Sequence, residues 1–196
     1  MTPLWLTIYG AVLLWSAIDP KDYLTWWLEV TPALVALVLL FATRKRFQFT
    51  PLVYWLVLAH SIILMVGAHY TYAEVPLFDW IKALLHSDRN NFDKLGHFAQ
   101  GFVPALVARE IVIRHNAING HYWTSFFVVC FSLAVSAFYE LIEWWVAVAS
   151  GDSAEAFLGT QGYVWDTQSD MGMALLGAIV AVVVMRRVHG RQMARM

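Results

Sequence analysis

Residues 123–149 read WTSFFVVCFSLAVSAFYELIEWWVAVA, an apolar stretch whose only charged residues are Glu140 and Glu143. A helix needs about 20 apolar residues to cross the hydrocarbon of a bilayer, so this stretch predicts a membrane-spanning helix. A carboxylate in the hydrocarbon costs about 2.5–3.5 kcal/mol on insertion scales and therefore normally faces the protein interior. The segment thus predicts a helical membrane bundle with a polar interior at the depth of the two glutamates.

The composition of the whole chain favours the same class of protein. Its 196 residues are 60% hydrophobic and 14% charged, with a mean hydropathy of +0.58. Soluble domains are about one quarter charged. The net charge of -1 provides no basic face, so nucleic acid is not an expected partner. The single cysteine, Cys130, excludes an intramolecular disulfide and a zinc site built from cysteines.

Six apolar segments predict an all-α bundle of about six membrane-spanning helices in one domain, residues 1–196. The segments are residues 4–18, 24–41, 51–67, 95–113, 123–149 and 171–188. The first is short for a span, but it lacks the basic start and cleavage site of a signal peptide. Residues 76–88 have apolar side chains at helical spacing, which predicts a short amphipathic helix at the membrane surface. Residues 150–165 fit either a plain connector or a lid.

The basic residues predict the orientation of the bundle. If the helices alternate in direction, Lys21, Lys82, Arg89 and Lys94 fall on one side and the other nine Lys and Arg residues on the opposite side. The positive-inside rule then places both termini in the cytoplasm. The lipid bilayer is the expected partner, and the oligomeric state stays open.

The acidic residues concentrate on the opposite side from most of the basic ones. Three pairs lie one helical turn apart, and each pair therefore shares a helix face: Asp93 with His97, Glu140 with Glu143, and Asp166 with Asp170. If the three helices pack as neighbours, they form an outward-facing pocket of carboxylates and one imidazole. Glu29, beside Trp26 and Trp27, is interpreted as an interfacial residue.

The expected chemistry of this pocket follows from its residue types. Several carboxylates cannot all be charged in a low dielectric, so either some are protonated or a cation neutralises them. Carboxylates with one imidazole suit a divalent metal ion such as Zn, Mn, Fe or Mg. The candidate ligands are His97, Glu140, Glu143, Asp166 and Asp170. The candidate catalytic residues are Glu140, Glu143 and His97, and the candidate substrate or anion contacts are Arg89, Lys94, Tyr72 and Gln100.

Four stretches resemble the YjdF-like family of bacterial inner-membrane proteins, a family without an established function. They are HYTYAEVPLFDW (69–80), RNNFDKLGHFAQGFVPALVARE (89–110), SAFYELIEWW (136–145) and GTQGYVWDTQSDMGMALLGA (159–178). The resemblance covers roughly residues 60–180, and it implies a bacterial inner-membrane location. More distantly, the pattern is similar to that of the VanZ-like family, which is linked to glycopeptide resistance. The residues that carry this similarity are Asp93, Lys94, His97, Glu140, Asp166, Asp170 and Gly177.

Three functions are consistent with the sequence. The first is a metal-dependent membrane enzyme acting on a lipid or lipid-linked head group, in which Glu140 or Glu143 acts as general base. The second is a non-catalytic protein that binds a lipid, a cation or an antibiotic, or that supports an envelope complex. The third is a small transporter, since three helices on each side would permit an inverted repeat.

Overall fold

The computed structural model describes residues 1–150 and 155–196, and within them every regular element is helical. In chain order the helices are α1 (Pro3–Ser16), α2 (Tyr23–Thr43), α3 (Pro51–Tyr70), α4 (Pro76–Leu85), α5 (Phe92–Arg114), α6 (His121–Ser150), α7 (Glu155–Leu158), α8 (Asp166–Val184) and α9 (Arg186–Met193). A short 3-10 turn, Tyr72–Glu74, links α3 to α4. The predicted all-α class is confirmed.

Four helices are long and apolar enough to cross a membrane: α2, α3, α6 and α8. The other two predicted spans, α1 and α5, are shorter or more polar than these four. Helix α1 has 14 residues and is shorter than a typical span. Helix α5 has 23 residues but is more polar, because charged residues occupy both its ends. It packs against α3, α6 and α8, so its polar side chains are enclosed by protein.

The ends of several helices follow local sequence signals. The side chains of Thr2, Asp22 and Thr50 accept hydrogen bonds from backbone N–H groups in the first turns of α1, α2 and α3. The last predicted segment, 171–188, differs from the structure at both ends. Helix α8 begins at Asp166, and Met185 separates it from the polar helix α9.

Helices α5 and α8 run parallel and approach each other very closely. A Cβ atom built on Gly101 would lie 1.8 Å from the carbonyl oxygen of Ala174, and one built on Gly177 would lie 2.1 Å from that of Phe98. Small residues permit such contact between membrane helices, where packing replaces the hydrophobic effect as the driving force. The two glycines therefore set the distance between the helices that carry Asp93 and Asp170.

Both chain ends lie at the same end of the bundle. The Trp5 indole donates to the Tyr54 carbonyl at the start of α3, and the Gln192 side chain accepts from the Leu52 N–H. Which side of the membrane this end faces stays a prediction. The end is closed by Glu110, which is fully buried.

Glu110 connects three parts of the chain: the start of α3, α5 and α9. Its carboxylate accepts from the Thr50 hydroxyl (2.8 Å), Arg114 Nη1 (2.9 Å) and His189 Nε2 (2.9 Å). Arg109 donates to the other ring nitrogen of His189 at 3.1 Å. His189 therefore fixes α9 against α5, a contact that the sequence did not predict.

Helix α4 has the amphipathic character that the sequence predicts for residues 76–88. Four apolar side chains, Leu77, Trp80, Leu84 and Leu85, are more than 60% exposed. An exposed apolar face of this kind on a short helix is typical of a helix that lies in the membrane interface.

Replacing Gly101 with alanine should destabilise the protein, because the added methyl group overlaps the backbone of Ala174. Overpacking costs about 1–3 kcal/mol. We expect a lower midpoint of thermal unfolding, measured by tryptophan fluorescence in detergent. Gly172→Ala on α8 is the matched control, since nothing lies within 4 Å of its Cβ position. Equal midpoints for the two variants would contradict the close packing.

Candidate functional site

The end of the bundle opposite the chain termini is rich in carboxylates, and we call it the acidic end. Asp93 lies in the first turn of α5 and Asp166 in the first turn of α8. Because the two helices are parallel, the positive ends of both helix dipoles lie together there, which favours negative side chains. Asp170 lies one turn further along α8. All three aspartates are buried.

Two basic side chains neutralise part of this charge. Lys94 Nζ lies 2.9 Å from Asp166 Oδ1 and 2.5 Å from Asp170 Oδ1. Arg89 Nη1 lies 2.6 Å from the same Asp166 oxygen, and Arg89 Nη2 lies 3.6 Å from Asp93 Oδ2. Arg89 and Lys94 thus join the start of α5 to the start of α8.

His97 lies at the centre of the acidic end, with its two ring nitrogens facing different groups. Nε2 is 3.2 Å from Asp93 Oδ1 and 4.0 Å from Asp170 Oδ1. Nδ1 is 3.0 Å from the Gln100 amide oxygen and 3.7 Å from Glu140 Oε1. The imidazole therefore separates the aspartates of α5 and α8 from the glutamates of α6.

Two groups of side chains have donor atoms close enough together to hold a metal ion. One group is Asp93, His97 and Asp170, and the other is His97, Glu140 and Glu143. Within each group the donor atoms lie within 4.8 Å of one another. Glu140 Oε1 is buried and has no hydrogen-bond partner in the described part of the chain.

A cavity of about 360 Å³ opens beside His97 and extends into the bundle. This volume is within the range of small-molecule pockets. Helices α2, α3, α5 and α6 supply most of the wall, and Tyr72, residues 157–159 and Asp170 complete it. Among the candidate residues, the lining includes His97, Glu143, Asp170, Tyr72 and Gln100. Most of the remaining wall is apolar.

The cavity is also lined by polar residues that sequence reasoning did not assign to the site. Glu29 on α2 is 2% exposed and faces the cavity, so its interpretation as an interfacial residue is wrong. Tyr139 and His60 line the same space. The sequence feature that could have assigned Glu29 to the site is a carboxyl group in an apolar segment, one turn before Pro32. The sequence did not show how α2 lies relative to α6, so the assignment was missed.

Tyr72 is held at the cavity by two glycines. Cβ atoms built on Gly67 of α3 and Gly96 of α5 would lie 2.2 and 2.7 Å from its ring. The preceding Thr71 has φ +58° and ψ 146°, a strained conformation for a residue with a side chain. Burial, together with the nearby Glu29 carboxyl group, raises the pKa of Tyr72 well above its usual range. Its hydroxyl therefore remains a hydrogen-bond donor.

Loops close over the acidic end. The Asn90 backbone exchanges two hydrogen bonds with the Gln161 side chain, both 2.9 Å long. The Asn90 amide also donates to Asp79 Oδ1 on α4 at 2.8 Å. Tyr163 places its ring 5.4 Å from the Arg89 guanidinium. Helix α7 packs against α2 and α6, and residues 151–154 of the predicted connector or lid lie outside the described residues.

The structure divides the candidate residues into two sets. The first set surrounds the cavity and His97: Tyr72, His97, Gln100, Glu140, Glu143 and Asp170. The second set, Arg89, Lys94 and Asp166, forms ion pairs at the helix starts and is not among the described lining residues. Asp166 belongs to neither described metal-capable group. The two cations expected to bind an anion are thus held by internal carboxylates.

The described geometry defines an all-helical integral membrane protein with an acid-rich cavity at one end of its bundle. The chain belongs to the family described as "Predicted membrane protein (DUF2238)", which matches residues 1–191. It is 53% identical over 184 residues to the inner membrane protein YjdF of Escherichia coli strain K12, covering 94% of this chain and 88% of that protein. The resemblance to the YjdF-like family is confirmed. No solved structure matches the chain.

Replacing Lys94 with methionine should destabilise the protein strongly, because it leaves Asp166 and Asp170 buried without their closest shared cation. Removing one partner of a buried ion pair costs about 3–5 kcal/mol. Unfolding midpoints in detergent provide the measurement. Lys94→Met combined with Asp166→Asn should recover part of the loss, since coupled residues interact by about 0.5–3 kcal/mol.

Lys21→Met is the matched control for this experiment. Lys21 pairs with Glu74, and both side chains are about half exposed. Exposed pairs contribute about 0–1 kcal/mol. A Lys94→Met variant no less stable than Lys21→Met would show that the acidic end does not depend on its internal cation.

Proposed function

We propose that this protein is a divalent-cation-dependent enzyme of the bacterial inner membrane that hydrolyses or transfers the head group of a lipid or lipid-linked substrate. The observation that carries the proposal is the position of His97 between two groups of carboxylates in the wall of a largely apolar cavity. The inner-membrane location rests on the relative from Escherichia coli, which is named an inner membrane protein.

The two metal-capable groups are not equally suited to a cation. On the Nε2 side of His97, the ammonium of Lys94 already lies 2.5 Å from Asp170 and 3.6 Å from Asp93. A metal ion there would meet a positive charge at short range. On the Nδ1 side, Glu140 has a buried oxygen without a described partner. The assigned ligands are therefore His97 Nδ1, Glu140 and Glu143.

This assignment also gives Asp93 a role. A metal-bound histidine usually donates its other ring N–H to a carboxylate, which fixes the orientation of the ring. His97 Nε2 lies 3.2 Å from Asp93 Oδ1, as this arrangement requires. Arg89 and Lys94 lie 3.6 Å from the other oxygen of Asp93 and keep that carboxylate negative. The ion pairs at the helix starts thus support the metal ligand.

The donor set suits a hard or borderline divalent ion, since it combines carboxylate oxygens with one imidazole. Bound there, such an ion supplies a Lewis acid and lowers the pKa of a water molecule. The Gln100 amide oxygen lies 3.0 Å from His97 Nδ1, so this side chain would have to turn away from that nitrogen when an ion binds there. The open side of this set faces the cavity, because His97, Glu143 and Gln100 all line it.

The remaining residues support a hydrolytic or transfer step at this position. Glu140 and Glu143 are both assigned as ligands, and the one that would hold the ion less tightly is the general base. It accepts the proton of the attacking water or alcohol and returns it to the leaving oxygen. Tyr72 directs a hydroxyl donor toward the same space and stabilises developing negative charge. The apolar wall holds the substrate's hydrocarbon part. Loops over the acidic end limit access of water.

The metal part of the proposal is tested by metal analysis of the purified protein. After treatment with a chelator and titration with Mn²⁺ or Zn²⁺, we expect one bound ion per chain. Glu140→Gln and Glu143→Gln should remove it, since each loses a ligand. Asp93→Asn should weaken binding by about 10–100-fold, as changes in the second shell of a metal site do.

Asp88→Asn is the control for these variants, because Asp88 is an exposed acid before α5. It should bind the ion as the wild type does. A wild-type protein that binds no divalent ion, or a Glu143→Gln variant that binds it unchanged, would exclude the assigned site.

The catalytic part is tested by lipid analysis of proteoliposomes made from bacterial polar lipids. The metal-loaded protein should convert one lipid class, with a product absent from samples of Glu143→Gln or of chelated protein. A lipid that co-purifies and remains unaltered would instead favour the non-catalytic binding protein. The apolar wall of the cavity is the observation that supports this alternative.

A further inference from the structure

The cavity has one polar and one apolar end. Its carboxylates gather at the acidic end, while the other end is lined by aliphatic side chains from four helices. The aliphatic residues are Leu39, Val57, Leu64, Val103 and Val107. A ligand that matches both ends has a polar head and a hydrocarbon chain.

The wall between α2 and α6 borders the surrounding membrane. Helix α2 packs against α3 and α7, and α6 packs against α5, α7 and α8. Val35 and Leu39 of α2 line the cavity and are nevertheless 50% and 57% exposed. On a membrane-spanning helix, this exposure means contact with lipid chains. A bilayer lipid can therefore reach the cavity without passing through water.

The polar end offers negative groups without a matching cation. No Lys or Arg is among the described lining residues. Lys94 and Arg89 lie outside the lining, and their ion pairs with Asp166, Asp170 and Asp93 already use their charges. Away from the proposed metal ligands, an anionic head group gains no cationic partner from the described lining, whereas a head group that brings a positive charge supplies one to Glu29.

Glu29 is the carboxyl group best placed to meet such a charge. It is 2% exposed, it lines the cavity from α2, and its Oε2 has no hydrogen-bond partner in the described part of the chain. A buried carboxyl oxygen without a donor is costly, so the position is suited to a donor supplied by a ligand. His97 and Glu143 belong to α5 and α6, and Glu29 faces the cavity from a different helix.

We propose that the lipid bound in this cavity has a primary ammonium head group, as in phosphatidylethanolamine, and that Glu29 accepts a hydrogen bond from that ammonium. The inference rests on the proposed function in placing the substrate in the same cavity. The phosphate of the lipid then lies toward the His97–Glu140–Glu143 ligands, and the acyl chain follows the aliphatic wall. A primary ammonium has three N–H donors, whereas a trimethylammonium has none.

The test uses the full-length protein in nanodiscs that contain equal amounts of phosphatidylethanolamine, phosphatidylglycerol and phosphatidylcholine with identical acyl chains. Lipids that remain bound after mild detergent extraction are identified by native mass spectrometry. We expect phosphatidylethanolamine to be enriched about tenfold over each of the other two, the ratio expected for one hydrogen bond to a charged group. Glu29→Gln should abolish the enrichment, and Glu29→Asp should retain part of it.

Asp88→Asn, the exposed-acid control, should leave the enrichment unchanged. If Glu29→Gln does not fold, the comparison of phosphatidylethanolamine with phosphatidylcholine on the wild type still decides, because the two differ in N–H donors and share the charge. Equal binding of these two lipids, a preference for phosphatidylglycerol, or an unchanged preference in Glu29→Gln would each overturn the inference.

The same experiment with chelated protein separates this inference from the proposed function. A preference for phosphatidylethanolamine that persists without a metal ion supports the role of Glu29, even if no metal-dependent reaction is found. Metal-dependent turnover without any preference for an ammonium head group overturns the inference and leaves the proposed function in place.

Discussion

The close contact between Gly101 of α5 and Ala174 of α8 is the constraint on which the acidic end depends. A side chain at position 101 would push the helices apart, because its Cβ would overlap the Ala174 carbonyl. Lys94, Asp166 and Asp170 lie one to two turns closer to the helix starts than this contact. The short distance between the two helices allows Lys94 to reach both aspartates at hydrogen-bond distance. The ion pairs thus follow from backbone packing.

Helix α5 is polar at both ends and apolar between them, and its neighbours explain how such a helix fits among apolar membrane helices. At one end its carboxylate Asp93 contacts Arg89 and His97, and at the other Glu110 contacts His189 and Thr50. Enclosure by α3, α6 and α8 keeps these groups away from lipid. Charged side chains within a membrane normally face protein and have partners. The low hydropathy of α5 is therefore explained by its central position in the bundle.

Sequence patterns predicted the features that depend on one helix at a time. Helical spacing placed Asp93 beside His97 on one face and Glu140 beside Glu143 on another, and in the structure the pairs lie on α5 and α6. Features that depend on two distant helices were missed. Glu29 reaches the cavity only because α2 lies across it, and nothing in residues 24–41 specifies that neighbour.

The tryptophans beside Glu29 illustrate the same limit. Trp27 is 56% exposed, as is common for tryptophans at the membrane interface, whereas Trp26 is buried and its indole donates to Ser16 Oγ at 3.3 Å. Adjacent residues on a helix point about 100° apart, so one can face lipid while the next faces the bundle. Burial of Trp26 turns the α2 face that also carries Glu29 toward the protein. The hydrogen bond from Trp26 to Ser16 at the end of α1 therefore helps to decide that Glu29 lines the cavity, where its charge must be matched by a proton or by a ligand.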